Sequence, residues 1–352
     1  MNYKNSHLIL FKKTSIIILI IIMILYFFWS LFFRNNFHVE SYSNETSVKI
    51  NIKNESNLKD VIMILTKNGD IKDLWSFKLI SFLKKYNKNI RSGDISLNGK
   101  YTNNNLINIL RMPSREVVNL RIPENIRLLK DMIILIEDSM GFGRDKLKHF
   151  IDTSSFLKNN NLTYQTLPSF FIPNTYQLYS NITVADFMNR MIIEYNNFWN
   201  PDRVEKCIKI GISKIDISIL ASIVEEEQDK RLDERPKIAG LYLNRLNNPT
   251  QFPYLQADPT VKFACNDFTI KQVLNKHLRV DNPYNTYKYK GLPPGPICIP
   301  SINAIDAVLN AESHSFYFMC AGSNGDGYHK FTSSNREHNN NKIQYKNYQG
   351  LK

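Results

Sequence analysis

Cysteine is scarce and scattered: Cys207, Cys265, Cys298 and Cys320 are the only four in 352 residues, and no two stand in C-x-x-C spacing. The seven histidines do not cluster with them at metal-ligand intervals, so no metal site is expected. Four cysteines permit three disulfide connectivities and the spacing selects none, which leaves free buried thiols as the simpler expectation. Acidic residues are short as well, 32 Asp and Glu against 45 Lys and Arg, for a formal net charge of +13. A basic surface suits nucleic acid, acidic lipid headgroups or an anionic wall polymer. No nucleic-acid-binding motif stands out, so no nucleic-acid partner is expected. The excess is scattered Lys in a chain rich in Asn, Ile and Lys, a bias that codon usage also produces, and charge decides little.

One long apolar run is present. Ser15 to Phe33 is almost entirely Ile, Leu, Met, Phe, Tyr and Trp, close to the ~20 residues that span a bilayer. Lys4, Lys12 and Lys13 before it outweigh Arg34 after it, which places the N-terminus in the cytoplasm and the body outside. Small residues suited to signal cleavage are missing after the run, where Arg34-Asn35-Asn36 stands, so an uncleaved single-pass anchor in the cytoplasmic membrane is expected.

Beyond the anchor the pattern is α+β. Residues 1–14 read as a cytoplasmic tail, 15–33 as the transmembrane helix and 34–46 as a polar tether. Residues 47–112 read as a small module: Val48, Ile50 and Ile52 alternate as a strand, and Ser56 can cap a helix ending near Gly69. A second helix runs from Leu74 to Leu83, and Ser92 to Tyr101 returns as a strand. Residues 113–200 form an intermediate α+β segment: a strand at Val117–Ile122, a helix from Pro123 through Ile134, an extended Phe170–Pro173 and a helix to Trp199. A boundary is drawn near Pro201, before a mixed α+β body at 201–352.

That body contains the informative junction, three acids at the end of the apolar run Ile217 to Val224. Ser213 and Asp216 have capping-box spacing, and neither Gly nor Pro interrupts residues 214–232, so a helix is expected. Ile219, Leu220, Ile223 and Val224 make its apolar stripe, with Ser218 and Ser222 opposite. Glu227 continues the stripe, Glu226 follows Ser222 toward solvent, and Glu225 lies at the margin. A carboxyl buried without a cation stays protonated to higher pH and can serve as a general acid. The competing reading is an acidic helix end with Glu227 paired to Lys or Arg, since helical charge runs are usually solvated.

Further on, Glu234-Arg235-Pro236 opens a helix that carries Asn244 and Arg245, and Asp258-Pro259-Thr260 reads as a turn or cap. Tyr284 and Tyr287 could stack on sugar rings or simply pack, and Gly291 to Pro296 is a stiff loop able to hold a binding wall.

The ordered motifs Ala221–Glu227, Glu234–Lys237, Asn244–Leu246, Gln256–Val261, Tyr284–Tyr287 and Gly291–Ile297 resemble the YceG-like family of membrane-anchored endolytic murein transglycosylases, also called MltG. Pro173–Tyr176 and the His329–Asn339 tail extend the resemblance over nearly all of the external chain. It implies a lyase that cleaves the β-1,4 bond between N-acetylmuramic acid and N-acetylglucosamine, leaves 1,6-anhydro ends and limits glycan length. It also implies no cofactor and a LysM-like first module. Peptidoglycan strands, the lipid bilayer and cell-wall synthases are the expected partners. The family's catalytic glutamate falls on Glu227, with Glu225 positioning or tuning it. Substrate contacts are assigned to Asn244, Gln256, Asp258, Thr260, Tyr284, Asn285, Thr286, Tyr287, Pro293, Pro294 and His329. Glu226 stands where Lys is common, Phe263 replaces a frequent Tyr, and Gly240 lies inside the helix that Pro236 opens. A silent wall-binding scaffold that recruits synthases, and a water-using muramidase with Glu227 and Asp258 as its carboxylate pair, are the alternatives.

Overall fold

A computed structural model describes residues 3–39, 47–53, 56–113 and 117–350. The chain divides into two compact units, residues 1–117 with 179–181, and residues 118–178 with 182–352. Its architecture is mixed α+β.

The first unit begins with the Tyr3–Phe33 helix, whose Ser15–Phe33 part is long and apolar enough to cross a membrane. No tether follows within the described residues. Asn35–His38 is a strand between Asp70–Ile71 and Lys100–Thr102, and only residues 40–46 of the expected tether lie outside the described residues. The strand is hard to read in sequence because Phe37 and Val39 are its only apolar positions among the described residues 34–39, both buried, and two alternating positions make too short a pattern. Val48–Ile52 pairs antiparallel with Gly93–Leu97, and the Leu58–Asn68 and Leu74–Leu83 helices lie between them in sequence. Asn57, not Ser56, caps the first of these helices: its side chain accepts from the Lys59 and Asp60 N–H groups. Ile50, Ile52, Val61, Leu65, Phe77 and Ile80 build the core of this unit.

The second unit holds two hydrophobic cores. One gathers Leu120, Met132, Ile136, Phe170, Phe187 and Met191, and the other Trp199, Leu220, Val224, Ile238, Leu241 and Val308. The cores part between Met191 and Trp199, close to the boundary drawn near Pro201, although both lie in one compact unit. Tyr195 packs against both cores, and Ile299 exchanges backbone hydrogen bonds with Asn125 and Ile126, tying residues near the end of the chain to the intermediate segment. That pairing holds Asn125 at φ 66° and delays the next helix to Leu129, from which it runs to Met140 rather than stopping at Ile134. Residues Leu167–Phe170 form a 3-10 turn, and the strand expected at Phe170–Pro173 begins instead at Asn174.

The Lys214–Glu227 helix starts as expected at a Ser213–Asp216 capping box. It is buried all round, which corrects its expected polar side. Ser218 and Ser222 are 1% and 0% exposed, their hydroxyls donating to the Lys214 and Ile219 carbonyls, and Ser222 also accepts the Ile297 N–H. Small hydroxyls that satisfy themselves on their own helix can be buried like alanine, so serine does not mark a solvent face here. Asp258–Ala264 is likewise a short helix, not a turn.

Candidate active site

The three glutamates leave the helix end toward different partners. Glu225 is 3% exposed and accepts the Ser301 N–H at 2.5 Å, with the Arg235 guanidinium 3.6 Å away. Burial pushes its carboxyl pKa up against the opposing pull of Ser301 and Arg235. It thus fastens the start of the Ile302–Leu309 helix, which Ser301 caps, and is not the marginal residue the spacing suggested. Glu226 is not free in solvent: it forms a bidentate pair with Arg127, both bonds 2.9 Å, at a side-chain exposure of 17%.

Glu227 lines a cleft of about 600 Å³, together with Tyr242, Arg245, Gln256, Asp258, Tyr287 and His329. The Tyr242 hydroxyl donates to its Oε1 at 2.7 Å, and among the described residues no Lys or Arg pairs with it. Desolvation dominates the environment and raises the carboxyl pKa to about 7. The neighbouring Asp258 charge adds to the rise, while the Tyr242 hydrogen bond and the positive charges of His329 and Lys262 oppose it. A glutamate poised near neutrality in a cleft can hold a proton, give it up and take it back.

The walls come from several elements. The Arg235–Asn247 helix supplies Tyr242 and Arg245, the latter buried and donating to the Tyr317 and Leu255 carbonyls at 2.7 and 2.5 Å. Gln256 sits at φ 52° just before Ala257, the N-cap of the Asp258–Ala264 helix, and its backbone N–H donates to the Thr286 carbonyl. Tyr287 donates to Asp258 Oδ1 at 2.6 Å. His329 opens the His329–Thr332 strand, which pairs antiparallel with Phe318–Ala321 along the cleft. Its Nδ1 and backbone N–H both lie 2.7 Å from the Glu234 carboxylate, which also accepts from Gln228 at 2.6 Å. Burial disfavours the charged imidazole, but the Glu234 contact outweighs it and the His329 pKa is raised.

Gln256, Asp258, Tyr287 and His329 therefore share the cleft with Glu227, whereas the remaining expected contacts do not line it. Asn244 spends its amide on the His314 and Phe316 carbonyls at 2.7 and 3.0 Å. Thr260 and Thr286 are buried against each other, hydroxyl to hydroxyl at 2.7 Å. Asn285 is fully buried and donates to the Leu278 and Val280 carbonyls, holding its own loop. Tyr284 packs on Phe263 with ring centres 4.5 Å apart. Pro293 is buried and Pro294 exposed, and neither reaches the cleft. Sequence reasoning missed Tyr242, read only as apolar, and the Asn335–Tyr348 helix, whose Asn335, His338, Lys342 and Lys346 form another wall. The i, i+4 spacing of His338, Lys342 and Lys346 was the available signal.

A carboxyl raised toward neutrality in a polar cleft, on a mixed α+β body, is the arrangement a general acid requires. A model of the YceG-like family matches residues 50–344. The endolytic murein transglycosylase of Bacillus subtilis (strain 168) is 30% identical over 320 residues, covering 86% of this chain and 85% of the relative. The endolytic murein transglycosylase of Streptococcus pneumoniae D39 is 23% identical over 337 residues, 85% of this chain but 58% of that longer relative. A crystal structure of a YceG-like protein from Listeria monocytogenes shares the fold, with a TM-score of 0.51 at 23% identity over 84% of this chain and 98% of that one. This chain belongs to the YceG-like family.

Proposed function

We propose that this protein is a membrane-anchored lytic transglycosylase, a lyase that cuts within peptidoglycan strands at the bond from N-acetylmuramic acid to N-acetylglucosamine. The observation that carries the reading is Glu227: one carboxyl, raised to about 7, hydrogen-bonded by Tyr242 in a polar cleft of about 600 Å³. The murein relatives supply the substrate class. In the first step the Glu227 proton passes to the glycosidic oxygen as the C1–O bond breaks. The C6 hydroxyl of the same muramic acid then bonds to C1, and its proton returns to the Glu227 carboxylate. No water is consumed, so one carboxyl suffices where a hydrolase divides the work between two.

Glu225 acts as a positioning residue, through Ser301 and Arg235, and Gln256, Asp258, Tyr287 and His329 contact the glycan. The Ser15–Phe33 helix anchors the chain in the cytoplasmic membrane with the cleft outside. The antiparallel strand–helix–helix–strand module at 48–97 is LysM-like, and cell-wall synthases are the partners whose glycan products are shortened. Incubating the full chain with isolated murein sacculi tests the reading. Release of 1,6-anhydro muropeptides, abolished by Glu227→Gln, is expected. Because Asp258 shares the cleft, a water-using muramidase is the second reading, and reducing ends without anhydro products would establish it. No product of either kind would leave a wall-binding scaffold.

A further inference from the structure

The Leu74–Leu83 helix carries large apolar residues on its outer side as well as on the side that faces its own core. Ser76, Phe77, Ile80 and Ser81 are buried, while Leu74, Trp75, Phe82 and Leu83 are 37%, 60%, 64% and 48% exposed. At 100° per residue, Leu74, Trp75, Phe82 and Leu83 fall on one face, with exposed Lys78 among them. A soluble surface helix carries polar residues there. Lys72, Lys85 and Lys88, also exposed, flank the same helix.

This helix is joined to the Tyr3–Phe33 helix without slack. Leu31 is buried in the core of the module, and its carbonyl accepts from Asn103 at 2.9 Å. Asn103 also donates to Ser76 Oγ at 2.9 Å and accepts from Asn36 at 2.7 Å. Asn36 in turn donates to the Asp73 carbonyl and accepts the Asp73 N–H, at 2.8 and 2.7 Å, and Asp73 is the N-cap of the apolar helix. The last turn of one helix is thereby clamped to the first turn of the other through buried amide hydrogen bonds. A module held this close to the exit of a spanning helix lies within reach of the headgroup layer. The unpartnered face has the composition that layer favours, Trp and Phe beside Leu with Lys at the margins.

We propose that the Leu74, Trp75, Phe82 and Leu83 face of this helix docks into the interfacial layer of the outer leaflet, aided by anionic headgroups beside Lys72, Lys78, Lys85 and Lys88. The first unit then lies on the bilayer and does not extend from it on a tether. The proposal rests on the reading of Ser15–Phe33 as a membrane anchor. The test reconstitutes the full chain in phosphatidylcholine–phosphatidylglycerol vesicles whose acyl chains carry bromine near the headgroup, and follows tryptophan emission. Trp199, 3% exposed in the second unit, is a constant background. Trp29→Phe leaves Trp75 as the reporter of the face, and Trp75→Phe leaves Trp29 as the reporter of the anchor. Loss of emission in both variants is expected, with the Trp75 loss smaller when phosphatidylglycerol is omitted. Loss from Trp29 with none from Trp75 overturns the docking and keeps the anchor. No loss from Trp29 overturns the anchor and the docking with it.

Discussion

The Tyr242 hydroxyl donates a 2.7 Å hydrogen bond to Glu227 Oε1, and both side chains line the same cleft. The bond favours the charged carboxylate, so it holds the Glu227 pKa below where burial alone would carry it. Tyr242→Phe should therefore move the alkaline limb of the pH–rate profile upward from about 7. The same change removes the donor that stabilises the carboxylate formed when the proton leaves, and should lower kcat by about 10- to 100-fold with KM little changed. Rates of anhydro-muropeptide release across pH check both effects, and a limb that stays in place or shifts down contradicts the assignment.

Glu227 also stands at odds with stability. Its pKa rises on folding from the ordinary 4.5 to about 7, so the folded state binds the extra proton between those values. Stability from this group is complete below 4.5, is lost as pH rises through about 7, and is absent above. Glu227→Gln keeps the shape without the charge. It should gain up to about 3 kcal/mol over the wild type above neutrality and nothing in acid, while losing activity. Thermal unfolding of both proteins across pH is the measurement, and equal melting temperatures at alkaline pH would count against a desolvated acid.

Glu234 and His329 form the other charged pair of the site, with side-chain exposures of 4% and 15%. Burial works against charge on Glu234, but the His329 and Gln228 hydrogen bonds prevail and its pKa is lowered; that of His329 is raised. The Glu234 contribution is present above its ordinary 4.5 and lost in acid, and the His329 contribution is present below its ordinary 6.5 and lost as pH climbs through the raised value. His329→Ala strands a buried carboxylate and should cost about 2–4 kcal/mol between those limits, less in alkali. A cost that is flat with pH would show that packing, not charge, is lost.

The helix bearing the glutamates was legible because its capping box and its apolar run agree, but its period did not rank the acids: Glu225 is the fully buried one, while Glu227 is half-buried and lines the cleft. The environments of Glu225 and Glu226 were not legible, since Ser301 and Arg127 lie 76 and 99 residues away in sequence and Arg235 lies on the next helix, and spacing along one helix says nothing of them. Motif position likewise did not separate cleft residues from supports. Within Tyr284–Tyr287 only Tyr287 lines the cleft, while Asn285 and Thr286 are buried holding loops, because neighbours in an irregular segment point different ways. Tyr242 was hidden by its period: an aromatic on an apolar helix face reads as core, and its hydroxyl matters only once Glu227 is found beside it.

Gly240 shows the same limit from the side of stability. By sequence it weakens the Arg235–Asn247 helix, and Ala would be expected to gain up to about 1 kcal/mol. In the fold a Cβ there would meet the Glu312 carbonyl oxygen at 2.2 Å and His314 Nε2 at 2.8 Å. Neither neighbour yields easily. The Glu312 N–H donates to the Pro236 carbonyl, His314 Nε2 lies 2.8 Å from the Lys237 carbonyl, and Asn244 holds the His314 and Phe316 carbonyls. Gly240→Ala must push this segment off the helix, and with it the Phe318–Ala321 strand that walls the cleft. The clash should outweigh the propensity gain, for a net loss of about 1–3 kcal/mol and a raised KM as the wall shifts. Thermal unfolding and substrate titration measure the two effects, and a stabilised variant would mean that the close approach at Gly240 is not maintained in solution.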